Sequence, residues 1–291
     1  MKKLIIEVGS TCTKVDLFDG QEINRIKTET IEFKRNYKKE NKLDKDDVEK
    51  LISLVKELKD QYQNIYVCGT SIFRSLSDEQ RNEFLNLFLN NTGIKFDIIS
   101  PEKENELTVE GAARNVNKKV AVFVGGGGST EISIYDNGIK EMINTPIGVI
   151  DIMNKYPDLG DNYATTNIDE VKKVVREKLN LPKQKADTLI LAGGGHLRFA
   201  LNSGISYEKN NLYEDKMQPV MMDIETREKD TDRYYKEISL DDIRKKVDDP
   251  NWWYATRAMC AFVLVVAEEV GAKNIIPTDI SMVHGLLKNK E

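Results

Sequence analysis

The chain has 291 residues, 40% hydrophobic and 31% charged, which excludes a disordered chain and leaves room for two domains with cores of their own. A net charge of −5 excludes a broad nucleic-acid-binding surface, so any polyanion has to be met by local basic groups. Cys12, Cys68 and Cys260 are widely spaced with no CxxC pair and read as buried thiols of a reducing cytoplasm, not as a disulfide or metal set.

The N-terminal MKKLIIEV holds an apolar run too brief for a signal peptide and reads as a first strand. Residues 4–20, LIIEVGSTCTKVDLFDG, then give an apolar run, a Gly-Ser-Thr loop, a second strand carrying Val15 and Leu17, and a turn at Asp19-Gly20. Residues 34–45, KRNYKKENKLDK, are a basic loop, either solvated or a positive rim for phosphate chains. A helix capped near Asp44 follows, with apolar positions 48, 51, 52, 55 and 58. Residues 64–68 form a strand running into GTSIFRS, and Ser77 with Gln80 makes a capping box for the next helix. Residues 96–99 are another strand, and Ser100-Pro101 opens a helix whose start carries Glu102, Glu104 and Glu106. Acidic residues there ordinarily serve the helix dipole. The polar NVNKK at 115–119 marks a boundary between domains 1–118 and 119–291.

Residues 119–136, KVAVFVGGGGSTEISIYD, set four glycines and Ser-Thr-Glu between two strands, with a hairpin turn at Asn137-Gly138. Gly126, Gly127 and Gly128 let backbone N–H groups approach an anion, and Ser129 and Thr130 offer hydroxyls; the plain alternative is a turn that binds nothing. No lysine precedes Ser129 and no GxGxxG can be laid on the run, so it is neither a P-loop nor a dinucleotide turn. Aligning Ser10-Thr11 with Ser129-Thr130 suggests an internal duplication, hence two similar domains facing each other across a phosphate-binding cleft.

A helix capped near Thr166 comes next, then a strand at 188–192 leading into GGGHLRFA. His196 there reads as a cap or surface residue, or as a catalytic group. Residues 204–250 read as polar loops with a helix near 240–247, and 251–271 as the most apolar helix. Its apolar stretch at 258–267 is too short to span a membrane.

In GGGSTE (126–131), and in EVGST (7–11), GTSIFR (69–74), IISPEKENELTVEGA (98–112), IGVIDI (147–152) and IPTDISMVHGLL (276–287), the chain resembles the Ppx/GppA family of exopolyphosphatases and guanosine-pentaphosphate phosphohydrolases. That family lies within the superfamily of actin, sugar kinases and heat-shock ATPases. The resemblance implies an α/β fold of two actin-like (ribonuclease H-like) domains and a cytoplasmic hydrolase, with a homodimer as one option for its assembly. It would release terminal phosphate from inorganic polyphosphate or guanosine pentaphosphate, with no nucleic acid or membrane as partner. It implies Glu104 as the base that activates water, Arg74 as a guanidinium fork for phosphate, and phosphate donors at Gly9, Ser10, Thr11, Gly126, Gly127, Gly128, Ser129 and Thr130. Gly194 and Gly195 would meet a nucleotide or distal phosphate, Glu7 and Glu131 would contact a weakly held Mg²⁺, and His284 would lie on a structural connection. The chain departs from the family where Val124 replaces an aspartate, where Glu7 replaces another, and where Asn105 and Glu106 stand in place of an arginine. Alternatives are a non-hydrolysing phosphate or nucleotide sensor of the same fold and another ATPase of the superfamily; the dehydratase activators of that superfamily carry cluster-binding cysteines that this chain lacks.

Overall fold

The structure, a computed structural model, describes residues 2–9, 12–33, 36–37, 42–204, 207–246 and 250–288. It divides into two compact units, Met1–Glu104 and Asn105–Glu291. The division falls inside a helix, upstream of the polar 115–119 segment.

In the N-terminal unit, β1 (Lys3–Val8), β2 (Cys12–Phe18) and β3 (Ile23–Thr30) form an antiparallel meander. Helix α1 (Lys45–Lys59), β4 (Ile65–Gly69), a 3-10 turn (Ser71–Ser75), α2 (Asp78–Thr92) and β5 (Phe96–Ile98) follow, and then α3 (Pro101–Ala112) begins. The strand order is β3-β2-β1-β4-β5, with β4 and β5 parallel to β1. Leu4, Ile6 and Val8, spaced by two, bury one face of β1 against Val48, Leu51 and Val55 of α1. Phe73, Phe84, Phe88 and Phe96 close that core, with ring centroids 4.9–5.9 Å apart. Both caps read from the sequence are present: Asp44 accepts from Asp46 N and Asp47 N, and Ser77 and Gln80 form a reciprocal box. Most of the basic 34–45 loop lies outside the described residues.

The C-terminal unit repeats the plan. Its meander is β6 (Val120–Gly125), β7 (Thr130–Tyr135) and β8 (Ile139–Thr145), followed by α4 (Val149–Lys155), a 3-10 turn (Pro157–Gly160), α5 (Ile168–Lys178), β9 (Thr188–Ala192) and α6 (His196–Asn202). Then come β10 (Glu208–Lys209), β11 (Val220–Asp223), α7 (Ile224–Lys236), α8 (Leu240–Arg244), α9 (Pro250–Val270), β12 (Asn274–Pro277) and α10 (Met282–Lys288). The order β10-β11-β12-β9-β6-β7-β8 contains the N-terminal order, with β12 and β9 in the places of β5 and β4. The sheet is buried on both faces. Ala121, Phe123, Ile132 and Ile134 pack with α4, α5 and α9, while Val120, Val122, Ile190 and Ile276 pack with Val109 and Ala112 of α3.

The helix expected to be capped near Thr166 is capped by Asn167, whose side chain accepts from Asp169 N. Two sequence expectations need adjustment. Residues 204–250 are not mainly loop, since they hold the 13-residue α7 and two strands. The helix expected over 240–247 runs over Leu240–Arg244, and residue 247 lies outside the described residues.

Candidate active site

β1, β4 and β5 end in register at Val8, Gly69 and Ile98. Two bonds extend the ladder beyond them, Thr70 N to Val8 O at 3.1 Å and Ile99 N to Gly69 O at 2.9 Å. Ligand crevices of open α/β sheets lie past such carboxyl ends. Three of the expected side chains gather here: Glu7 next to last in β1, Arg74 in the 3-10 turn after β4, and Glu104 in the first turn of α3.

Ser100 starts α3, its Oγ accepting from Lys103 N at 3.2 Å and its carbonyl from Glu104 N at 2.9 Å. Arg74 Nη1 donates to Glu104 Oε2 at 2.8 Å and to Ile99 O at 3.1 Å. The guanidinium therefore orients the carboxylate. Burial pushes the Glu104 carboxyl above its usual range, Arg74 opposes the rise, and nearby Glu7 adds to it. A carboxylate raised in this way and held by a fixed partner has the character of a general base.

Glu7 is 7% exposed and faces Lys14 across the hairpin, with Lys14 Nζ 3.3 Å from Glu7 Oε1. Its Oε2 is buried with no hydrogen-bond partner. Glu7 raises the pKa of the Lys14 ammonium, which stays charged. Lys14 was not singled out from the sequence, although the hairpin register points to it. Gly9 N donates to Cys12 O at 2.9 Å, and that closure sets residue 14 opposite residue 7. Ser10 and Thr11, at the tip, lie outside the described residues.

The C-terminal hairpin closes in the same way, Gly126 N donating to Ser129 O at 2.9 Å. Gly9 thus corresponds to Gly126 and Cys12 to Ser129, so the alignment of Ser10-Thr11 with Ser129-Thr130 is out by two positions. Val124 becomes the counterpart of Glu7, and Glu131 of Lys14, and these two also face each other across their hairpin. Glu131 is half-buried. Val124 packs on Gly193, where φ is +81° and an added Cβ would come 2.5 Å from Val124 Cγ1.

Gly127 and Gly128 are exposed at the tip, and the approach to α4 buttresses them. Val149 N donates to Gly126 O at 3.1 Å and Ile150 N to Gly127 O at 3.0 Å, while the buried Thr130 hydroxyl donates to Ile147 O at 2.8 Å. A Cβ on Gly148 would overlap Gly126 O, Gly127 C and Gly128 N. Gly148→Ala is therefore expected to displace the loop at a cost of about 1–3 kcal/mol, seen as weaker tripolyphosphate binding by calorimetry. Unchanged affinity in the folded variant would remove this loop from phosphate binding.

At the second glycine turn, Gly193 N donates to Ile280 O at 2.7 Å, and Asp279 Oδ1 accepts from Leu197 N at 2.9 Å and Arg198 N at 3.4 Å. Beside Gly194 and Gly195, then, the start of α6 is met by the protein's own carboxylate. Burial pushes the His196 imidazole down to about 3, with the charge of Arg227 adding to the fall. It is neutral and buried, neither a cap nor a surface residue, and offers no proton near neutral pH. His284 Nδ1 accepts from Ser281 N at 3.1 Å at the start of α10, a structural contact. Among the described residues, no group of three or more His, Cys, Asp or Glu is placed to hold a metal ion, and no helix is long and apolar enough to cross a membrane.

The duplicated strand order and paired glycine hairpins define a protein of the actin-like ATPase fold. Residues 16–246 match the model of the Ppx/GppA phosphatase family, and the chain belongs to that family. Among solved structures it is similar to the type II variant of the Aquifex aeolicus Ppx/GppA phosphatase, at 20% identity and a TM-score of 0.76 over 99% of this chain and 98% of that one. It is also similar to an exopolyphosphatase from Cytophaga hutchinsonii, at 14% identity and a TM-score of 0.75 over 99% and 97%. A nucleoside triphosphate hydrolase from Neospora caninum shares the fold at 11% identity and a TM-score of 0.54 over 99% and 92%. At such identities the likeness is one of fold. No curated protein sequence matches the chain.

Proposed function

We propose that the protein is a phosphoanhydride hydrolase that releases terminal phosphate from inorganic polyphosphate or guanosine pentaphosphate. The observation that carries this reading is the Arg74–Glu104 pair at the carboxyl edge of the parallel strands, with the Glu104 carboxyl raised by burial. Glu104 takes a proton from water as its oxygen attacks the terminal phosphorus; the anhydride P–O bond breaks, and orthophosphate and the shortened chain separate. Arg74 keeps the base in its ionised form and aimed. Lys14 neutralises and orients phosphoryl oxygens.

Mg²⁺ is the ion the family implies. The buried, unpartnered Oε2 of Glu7 fits one oxygen ligand for such a hard cation, and Val124 supplies none; water and substrate oxygens would complete the shell. When bound, the ion would neutralise charge on the phosphates.

The test is orthophosphate release from long-chain polyphosphate and from guanosine pentaphosphate, each with Mg²⁺. Release from one of them is the expected result. Binding of both without release would leave a sensor, and release from ATP alone would point to another ATPase activity. Activity should fall as pH drops through the raised pKa of Glu104, placing the acid limb above the range of an ordinary carboxylate. Arg74→Met removes the cation that opposes the rise, so the limb should move to still higher pH; an unmoved limb would mean that Glu104 does not set it.

A further inference from the structure

The two oxygens of Glu7 have different surroundings. Oε1 lies 3.3 Å from Lys14 Nζ, and Oε2 is buried without a hydrogen-bond partner. Register fixes the pair, because Glu7 and Lys14 are opposed residues of β1 and β2. The next carboxylate on the same face of β2, Asp16, is taken up by Arg25 through bonds of 2.5 and 3.2 Å, and Glu7 is the carboxylate bonded to Lys14. The Glu7 and Lys14 side chains are only 9% and 25% exposed, so water screens them weakly. An ammonium this close to a carboxylate repels a divalent ion approaching the same group. The C-terminal hairpin carries Val124 and Glu131 at the matching positions, so the acid–ammonium pair is confined to the N-terminal one.

We propose that Lys14 and a divalent cation compete for Glu7: with no phosphate chain bound, Lys14 holds the carboxylate and keeps the metal off, and a phosphoryl oxygen that draws Lys14 away opens Glu7 to the ion. Metal and phosphate chain then bind in a coupled fashion, each favouring the other. The proposal rests on the reading of this edge as a phosphate site.

The probes are Mn²⁺, followed by the electron paramagnetic resonance of the free ion, and tripolyphosphate, followed by calorimetry in EDTA. Without phosphate, Lys14→Met should bind Mn²⁺ about tenfold or more tightly than the native protein. In EDTA the same variant should bind tripolyphosphate more weakly. Lys14→Arg keeps the charge and should keep the weak Mn²⁺ binding, and adding Glu7→Gln to Lys14→Met should abolish the gain. Mn²⁺ affinity that does not rise in Lys14→Met, rises equally in Lys14→Arg, or stays high after Glu7→Gln overturns the competition. Circular dichroism checks folding, and Lys14→Gln replaces Lys14→Met if the latter does not fold. None of these measurements needs turnover, so absence of hydrolysis would overturn the enzymatic reading while leaving the competition to be judged on its own result.

Discussion

Glu104→Gln is expected to lower turnover by about 10²–10⁴-fold while phosphate-chain binding stays close to native. Glutamine keeps the shape of the side chain and an oxygen that can accept from Arg74 Nη1, the donor now 2.8 Å from Glu104 Oε2. It removes the one property that matters for proton abstraction, a carboxylate able to take a proton from water. The cap of α3 by Ser100 and the bond from Arg74 to Ile99 O involve other atoms, so the helix start should survive. Single-turnover phosphate release separates the chemical step from binding. A parallel loss of kcat and of tripolyphosphate affinity would show that Glu104 shapes the site without acting as its base. The loss should also be flat with pH on the acid side, because the titrating group is gone.

The second large effect concerns stability. Arg257 is fully buried, and its guanidinium donates to the carbonyls of Tyr234, Leu159, Asp161, Asn162 and Ile238 at 2.7–3.1 Å. It ties α9 at once to the 3-10 turn before α5 and to the end of α7. None of these acceptors is a carboxylate. Burial lowers the guanidinium's pKa, yet arginine keeps its proton, so its charge is stabilised by peptide dipoles. Arg257→Met fills similar space and strands four carbonyls, Asn162 O keeping its bond from Leu240 N at 2.8 Å, at a cost of about 3–5 kcal/mol, a large share of the roughly 5–15 kcal/mol that holds a native protein together. Arg257→Lys, with three donors and no fork, should recover part of the loss. Trp253, at the start of α9, packs against the core of the C-terminal unit, so tryptophan fluorescence during urea unfolding reports that unit. A Met variant within about 1 kcal/mol of native, the size of a single ordinary hydrogen bond, would mean that water replaces the lost donors.

Much of this fold is legible in the sequence because its signals are local. Asp44 and Ser77 cap the helices they precede, and Val120, Val122, Ala121 and Phe123 alternate between two buried faces. Helix α7 is illegible for the opposite reason. Its buried positions, Arg227, Asp230, Thr231, Tyr234 and Tyr235, keep helical spacing but are polar or aromatic, so hydrophobic periodicity passes over them. Two of them find partners elsewhere in the chain, Arg227 Nη2 donating to Cys260 Sγ at 3.3 Å and Tyr235 OH to Arg257 O at 2.8 Å. In the candidate site, the family resemblance singles out Glu104 and Arg74, but not that Arg74 binds Glu104. The carboxylate over α6 comes from Asp279, 82 residues beyond Leu197, a closure no local pattern announces. Val124 looks like a lost ligand in the sequence; in the structure it fills the space beside Gly193.

The strand orders also set a timetable for synthesis. Every pairing of the N-terminal sheet lies between Lys3 and Ile98, so that sheet is complete once Ile98 has left the ribosome. The C-terminal sheet is less fortunate, since β9 pairs with β6 on one side and on the other with β12, at Asn274–Pro277. Roughly 85 residues separate β9 from β12, which at about 5–20 residues per second leaves one edge of β9 unpaired for about 4–17 s. Its sequence is TLILA, apolar throughout apart from the first residue, and a bare edge of that kind pairs readily with other strands. The hazard of mispairing is thus concentrated in the nascent chain and disappears when β12 docks.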